Sequence, residues 1–264
     1  MNQREIKIHT EADFAGMRKA GQLAASILDY ITDFVQVGVM TEELDKLCHD
    51  KIIAAGAIPA PLNYRGFPKS ICTSVNHVIC HGIPSKKRLK DGDIINIDVT
   101  VILDGWHGDT SRMYYVGDNV SIKAKRLTQV CYEATMLGIE QVKVGNTIGD
   151  IGHAIQQHVE KNRFSVVLDY CGHGIGKVFH AAPNIMHFGR KGDGLVLQEG
   201  MFFTIEPMIN TGTCETKVDS RDGWTVTTRD KGLSAQFEHS LAVTKDGYEI
   251  FTESPMGFHC PPYK

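Results

Sequence analysis

Two rhythms of apolar residues run along this chain. Phe14, Met17, Ala24, Ile27, Leu28, Ile31 and Phe34 recur at the three- and four-residue intervals of one buried helix face. Thr10 stands where an N-cap belongs, with Asp13 in the capping-box place three residues on. A second helix is predicted from Thr41, with Leu44, Leu47, Ile52 and Ile53 facing inward. The apolar runs then shorten and fill with β-branched residues, which predicts strands over 71–75, 94–102 and 113–116. Gly117-Asp118 forms a turn leading to Ser121, a predicted N-cap, and to helices over 122–142 and 148–162. The remainder reads as strands over 166–168, 201–205, 224–228, 237–243 and 249–251, with an irregular Pro261-Pro262 tail.

The two halves of the chain echo each other. Val37-Gly38, then Thr41 and a helix, matches Val144-Gly145, then Thr147 and a helix. Gly92-Asp93-Ile94-Ile95-Asn96-Ile97-Asp98 matches Gly200-Met201-Phe202-Phe203-Thr204-Ile205-Glu206, so that a glycine opens an apolar strand and a carboxylate closes it in both. Sixty positions separate Gly38 from Asp98, and sixty-one separate Gly145 from Glu206. A duplicated helix–helix–strand unit, roughly 10–118 and 119–250 within a single domain over 1–264, accounts for this. Its matched carboxylates would meet near a pseudo-two-fold axis. Coincidence between two glycine-bounded strands is the plainer alternative.

Composition narrows the class. With 264 residues, 42% of them hydrophobic, the chain can bury one large core or two fused small ones. A net charge of -3 argues against a broad nucleic-acid-binding surface, so no specific nucleic acid is expected as a partner. No run of eighteen apolar residues suggests a membrane-spanning helix, and the polar segment from Met1 to Thr10 lacks the apolar centre of a secretory signal. Seven scattered cysteines without a CxxC pair imply neither a disulfide framework nor a zinc knuckle, and a reducing cytoplasm fits best.

Carboxylates in apolar strands carry the candidate chemistry. Asp98 interrupts Ile94-Ile95-Asn96-Ile97-Asp98-Val99-Thr100-Val101-Ile102, where a buried acid needs a cation or hydrogen-bond donors. Asp104-Gly105 is a two-residue hairpin signal, which sets residue 100 opposite 109 and makes Asp98 the diagonal neighbour of Asp109. Two acids so placed repel unless they share a proton or a metal. Taken alone, Asp109 after Gly108 could as easily cap a turn. Glu206 ends an apolar strand before Pro207, and Glu238 precedes His239 at the entry of another. His173 lies among the glycines of Cys171-Gly172-His173-Gly174-Ile175-Gly176, which allow close backbone bends. Four carboxylates and one imidazole can hold two borderline divalent ions, and ions ~3.5–4 Å apart can share a water or hydroxide.

Over nearly its whole length the chain resembles the type I methionine aminopeptidases. The resemblance rests on Tyr64-Arg65-Gly66-Phe67-Pro68-Lys69-Ser70-Ile71-Cys72, Val75-Asn76-His77-Val78-Ile79-Cys80-His81-Gly82-Ile83-Pro84, Asn96-Ile97-Asp98-Val99-Thr100 and His107-Gly108-Asp109-Thr110-Ser111. It continues through Cys171-Gly172-His173-Gly174-Ile175-Gly176, Thr204-Ile205-Glu206-Pro207-Met208, Asp222-Gly223-Trp224-Thr225 and Ser234-Ala235-Gln236-Phe237-Glu238-His239. It implies an α+β "pita-bread" fold: two pseudo-two-fold-related halves with antiparallel sheet and covering helices.

The same resemblance implies the site. Asp98, Asp109, His173, Glu206 and Glu238 would ligate two divalent ions (cobalt, manganese, iron or zinc), with Asp109 and Glu238 bridging. Glu206 would relay a proton, His180 would stabilise the oxyanion and His81 would bond near the scissile nitrogen. On their own, His81 in a Gly-Ile-Pro turn and His180 in a glycine-containing loop are unremarkable. Tyr64, Phe67, Cys72, Phe179 and Trp224 would hold the methionine side chain, although Phe67 and Trp224 also suit a core. Asn76, Val78 and Ser234 match a monovalent-cation site. His107, His153, His158 and His187 are read as structural or surface residues. The implied partners are N-termini of nascent peptides, with a transient ribosome association and a monomeric chain.

Two positions depart from the family pattern. Pro61 stands where some relatives carry a pocket cysteine, and Ala181 where many carry an acid. Only 32 positions separate Glu206 from Glu238, too few for the large insertion of the type II enzymes. A prolidase or Xaa-Pro aminopeptidase, or a non-catalytic peptide-binding module on the same fold, are the competing readings. Family enzymes cleave before small second residues, so with Asn2 in place the protein is expected to keep its own Met1, which an intact-mass measurement checks.

Overall fold

Strand β4 (Ile94–Leu103) shows why the chain folds as it does. Its odd positions Ile95, Ile97, Val99 and Val101 are fully buried in one apolar cluster, whereas the alternate positions Asn96, Asp98 and Thr100 take the opposite face. The computed structural model describes residues 6–263; Met1 and Asn2, on which the expectation of a retained methionine rests, lie outside the described residues.

In chain order the elements are α1 (Glu11–Ile31), α2 (Thr41–Ala54), β1 (Ile58–Pro59), β2 (Cys72–Val75), β3 (Val78–Cys80), β4, β5 (Trp106–Tyr115), α3 (Ile122–Ile139) and α4 (Ile148–Lys161). Then follow β6 (Ser165–Val166), β7 (Gly172–Gly174), β8 (Ala181–Ile185), β9 (Phe202–Ile205), β10 (Met208–Asn210), β11 (Thr216–Val218), β12 (Val226–Thr228), β13 (Ser234–Gln236), β14 (His239–Thr244) and β15 (Gly247–Ile250). This is an α+β architecture of antiparallel sheets. β4 pairs with β1, β2 and β5, and a second sheet runs β15-β14-β9-β7-β8. A bridge between Ser111 and Glu238 joins the two sheets.

Helices cover each half separately. α1 and α2 pack over β4 and β5 through Ala24, Leu28, Leu44 and Ile52. α3 packs on β9, β10 and β13 and α4 on α3 and β6, and Leu127, Ile151, Ile155, Phe203 and Leu241 share one apolar cluster. A smaller cluster of Phe14, Met17, Trp106, Ile175, Phe202 and Phe251 lies between these two cores.

The halves match in detail. Gly38 and Gly145 adopt φ of 89° and 90°, and their N–H groups donate to Leu89 O and Leu197 O at 2.8 and 3.1 Å. Met40 bridges Arg88 as Thr147 bridges Val196. The helices that follow are 14 residues each. Gly92 and Gly200 open the matched strands at φ of 91° and 84°, conformations that favour glycine.

The caps agree with the sequence. Thr10 N–H donates to Asp13 Oδ2 at 2.9 Å, and Ser121 Oγ accepts from Ala124 N at 3.2 Å. Other expectations need correction. Ile53 is 51% exposed, because the buried face of α2 runs through Thr41, Leu44, Asp45, Cys48 and Ile52, and Ile53 points a step off it. Phe34 reaches the surface because the chain tightens into a 3₁₀ turn at Thr32. α3 stops at Ile139, three residues short. The strand expected over 113–116 is the end of the ten-residue β5, and the one expected over 237–243 begins only at His239. No described helix is long and apolar enough to cross a membrane.

Candidate active site

The hairpin sets the first two acids. Asp104 and Gly105 both adopt positive φ, 50° and 80°, as a two-residue turn matched to strand twist requires. Thr100 therefore stands opposite Asp109, and Asp98 opposite Ser111. Thr100 Oγ1 donates to Asp109 Oδ1 at 2.7 Å, while Oδ1 of Asp98 is buried with no hydrogen-bond partner.

The second half supplies the other three groups. β7 sits between β8 and β9, and an added Cβ at Gly172 or Gly174 would strike the carbonyl oxygens of Thr204 or Ala182. Those glycines let the strand come close enough to aim His173 inward. Its Nδ1 lies 3.1 Å from Gly174 O, a bond that places the proton on Nδ1 and leaves Nε2 bare. That bare nitrogen stands 3.6 Å from both Asp109 Oδ2 and Glu206 Oε1. Glu206 follows β9 and accepts from Thr204 Oγ1 at 2.8 Å and Gln236 Nε2 at 3.2 Å. Its backbone N–H donates to Nε2 of the fully buried His187 at 3.1 Å. Glu238 is held by the Ser111 bridge and by Thr110 Oγ1, which donates to its carbonyl at 2.7 Å.

Electrostatics point to a cation. Burial pushes Asp109 up to about 7, against the Thr100 hydrogen bond. Burial, and then the charge of Asp109, hold Asp98, Glu206 and Glu238 well above the usual carboxylate range. Burial also pulls His173 down to about 4. Bare Nε2 and the oxygens of Asp109 and Glu206 thus face one another at 3.6 Å, an arrangement that a shared cation would satisfy. Ligand atoms of Asp109, His173 and Glu238 lie within 4.8 Å of one another. Hard oxygens with one imidazole nitrogen fit a borderline divalent metal, and the unpartnered Asp98 oxygen fits the edge of the same cluster.

All five residues line one cavity of about 340 Å³, and so do His81, His180, Tyr64, Phe67, Cys72, Phe179 and Trp224. Every expected ligand and substrate-contacting residue is thus brought together. Phe67 and Trp224 meet edge to face at 5.3 Å, and the His81 ring stands 6.1 Å from Trp224. Asn76 and Ser234 also adjoin, the Asn76 carbonyl accepting from Ser234 N at 2.8 Å while the buried Ser234 hydroxyl lacks a partner. Val78 opens the neighbouring β3.

Gln236, Thr100 and His187 also support the acids, and Arg65, Cys80, Tyr170 and Met208 are further walls, roles that their sequence context, Thr100 apart, does not announce. Thr100 had a signal, since the hairpin register set it opposite Asp109. His187 had none, because its partner is a backbone amide 19 positions away.

Known proteins resemble the chain in sequence and in fold. The model of metallopeptidase family M24 matches residues 15–245. The chain is 66% identical over 258 residues to a methionine aminopeptidase of Rickettsia prowazekii, covering 98% of this chain and 99% of that protein. The crystal structure of methionine aminopeptidase from Rickettsia prowazekii superposes with a TM-score of 0.93 at 67% identity, over 94% of this chain and all of that one. An Xaa-Pro dipeptidase from Bacillus anthracis shares the fold at a TM-score of 0.74 and 22% identity, over 94% of this chain but only 62% of its own.

Proposed function

Because the chain belongs to metallopeptidase family M24, we propose a mechanism in which the five convergent side chains hold two divalent ions and the aromatic wall selects methionine. The chain is a metalloaminopeptidase that removes the initiator methionine from proteins. The observation that carries this is the convergence of Asp98, Asp109, His173, Glu206 and Glu238, far apart in sequence, on one cavity.

Bound divalent metal supplies Lewis acidity, which makes water nucleophilic and polarises the peptide carbonyl. Glu206, which lines the cavity with its carboxylate fixed by two donors, would accept the proton of the attacking water. Gln236 and Thr204 hold its two oxygens in place for that transfer. His180 donates to the oxygen that gains charge, and His81 bonds near the scissile nitrogen. Phe67, Trp224, Tyr64, Phe179 and Cys72 surround the thioether with polarizable apolar groups. Cleavage is restricted to substrates with a small second residue. The reaction takes place in the cytoplasm on nascent chains, by a monomeric protein in transient contact with the ribosome. A monovalent cation binds near Asn76, Val78 and Ser234, where the unpartnered Ser234 hydroxyl supports it.

Hydrolysis of Met-Ala-Ser with chelator, and with manganese, iron, zinc or cobalt restored singly, tests this reading. Activity lost to chelator and recovered with at least one metal is expected. No turnover under any metal, or faster cleavage of an Xaa-Pro dipeptide, would contradict it.

A further inference from the structure

Tyr64 has a contact that a pocket wall does not require. Its hydroxyl lies 3.0 Å from Nδ1 of His180. The Tyr64 ring stacks on the His180 ring at 5.2 Å with an interplanar angle of 29°, and leans on Phe179 at 4.9 Å. The two residues are 116 positions apart, so the pair forms only when the loop after Gly176 folds over the segment 61–67.

That segment is built to hold Tyr64 still. Asn63 and Arg65 both adopt left-handed φ, 66° and 49°, with Gly66 at 86°. Tyr64 N donates to Pro61 O at 2.9 Å, Phe67 N donates to Tyr64 O at 3.0 Å, and Asn63 N donates to Phe67 O at 2.8 Å. Non-glycine residues in the left-handed region are sparse, and two so close together mark a conformation that the surroundings impose. A ring that only filled space would not need such a knot.

We infer that Tyr64 is a positioning residue for His180: its hydroxyl donates to Nδ1, fixes the proton on Nε2, and so keeps His180 a hydrogen-bond donor toward the substrate carbonyl. This rests on the aminopeptidase reading of the same cavity. A neutral imidazole has one donor and one acceptor nitrogen, and the partner of one sets the role of the other. Nε2 has no hydrogen-bond partner among the described residues, and His180 lines the cavity, which leaves that nitrogen for a ligand. Without the phenol the ring is free to carry its proton on Nδ1 and to present a lone pair where negative charge develops.

Tyr64→Phe keeps the aromatic wall and removes only the hydroxyl. It is expected to lower kcat on Met-Ala-Ser about 10-fold or more, a fraction of the ~10²–10³-fold loss for deleting an oxyanion donor. KM should change less than about 2-fold, since the lost interaction acts in the transition state. In a His180→Ala background the same change should have almost no effect. Nitrogen-15 spectra of the metal-free protein, with the His180 ring assigned by its loss in His180→Ala, should show Nδ1 unprotonated and Nε2 protonated, and a mixture of tautomers in Tyr64→Phe. A kcat equal to wild type overturns the inference. So does a raised KM that recurs undiminished in the His180→Ala background, or a proton found on Nδ1 in the unaltered protein. If the unaltered protein fails to cleave the peptide under any metal, the aminopeptidase reading itself falls; the spectra still decide the positioning.

Discussion

Asp109→Asn is expected to lower kcat/KM on Met-Ala-Ser at least ~10³-fold while raising the melting temperature of the metal-free protein. The two effects share one cause. Asp109 stands at the centre of the cluster, 3.6 Å from His173 Nε2, with its other oxygen bonded to Thr100. Its charge is part of what holds Asp98, Glu206 and Glu238 above their usual range. Asparagine has the same shape but neither bridges cations nor repels carboxylates. Losing a ligand that stabilises a transition state by several kcal/mol corresponds to ~10³-fold or more. Relieving like-charge contact in the absence of metal acts the other way on stability. Steady-state rates with calorimetry of the chelated protein check both. A fall in activity with a lower melting temperature would mean that Asp109 is a structural residue and that the mutation simply damages the fold.

The metal-free protein is expected to lose at least ~2 kcal/mol of stability, roughly 5 °C in melting temperature, between about pH 6.5 and pH 8. A carboxylate whose folded value is raised binds its proton more tightly when folded, so its contribution falls as pH climbs from the unfolded value through the folded one. Asp109 titrates at about 7 instead of 3.8, so its share is lost as pH rises through about 7, and Asp98, Glu206 and Glu238, held well above their ordinary values, act in the same direction. Histidines set the lower limit. His173 and His187, pulled down to about 4 and about 3, add stability as pH rises toward 6.5 and are neutral in both states above it. Buried thiols such as Cys72 set the upper limit, because they begin to oppose folding near 9. Saturating metal, which binds the ionised ligands, should abolish or reverse the slope. Calorimetry with and without chelator reads it; a metal-free melting temperature that is level or rising over the window would show that the acids are not buried together.

Much of this was legible in the sequence where one local rule sufficed. The β4–β5 hairpin follows from strict alternation and a two-residue Asp-Gly turn, and the register of Thr100 with Asp109 came out as expected. Asp98 was conspicuous because an acid in a buried apolar strand demands a reason. The matching glycines announced the duplicated unit through backbone positions that need positive φ. What escaped was mostly non-local. β7 spans three residues, two of them glycine, and β8 contains Pro183, so neither carries an alternating pattern. β7 exists because β9 offers it a partner, and β8 because β7 then offers it one, which no window along the chain reveals. His81 and His180 became candidates only through family resemblance, because their meaning lies in the cavity they reach. Ile53 was misplaced since an apolar residue one step off a helix stripe looks the same in sequence as one on it.

Anomalous diffraction from crystals grown with manganese is the most direct test of the central claim. Two peaks inside the cavity are predicted, with Asp109 and Glu238 touching both, Asp98 completing the shell of one, and His173 with Glu206 completing that of the other. A single peak, or peaks outside the reach of these five side chains, would contradict it.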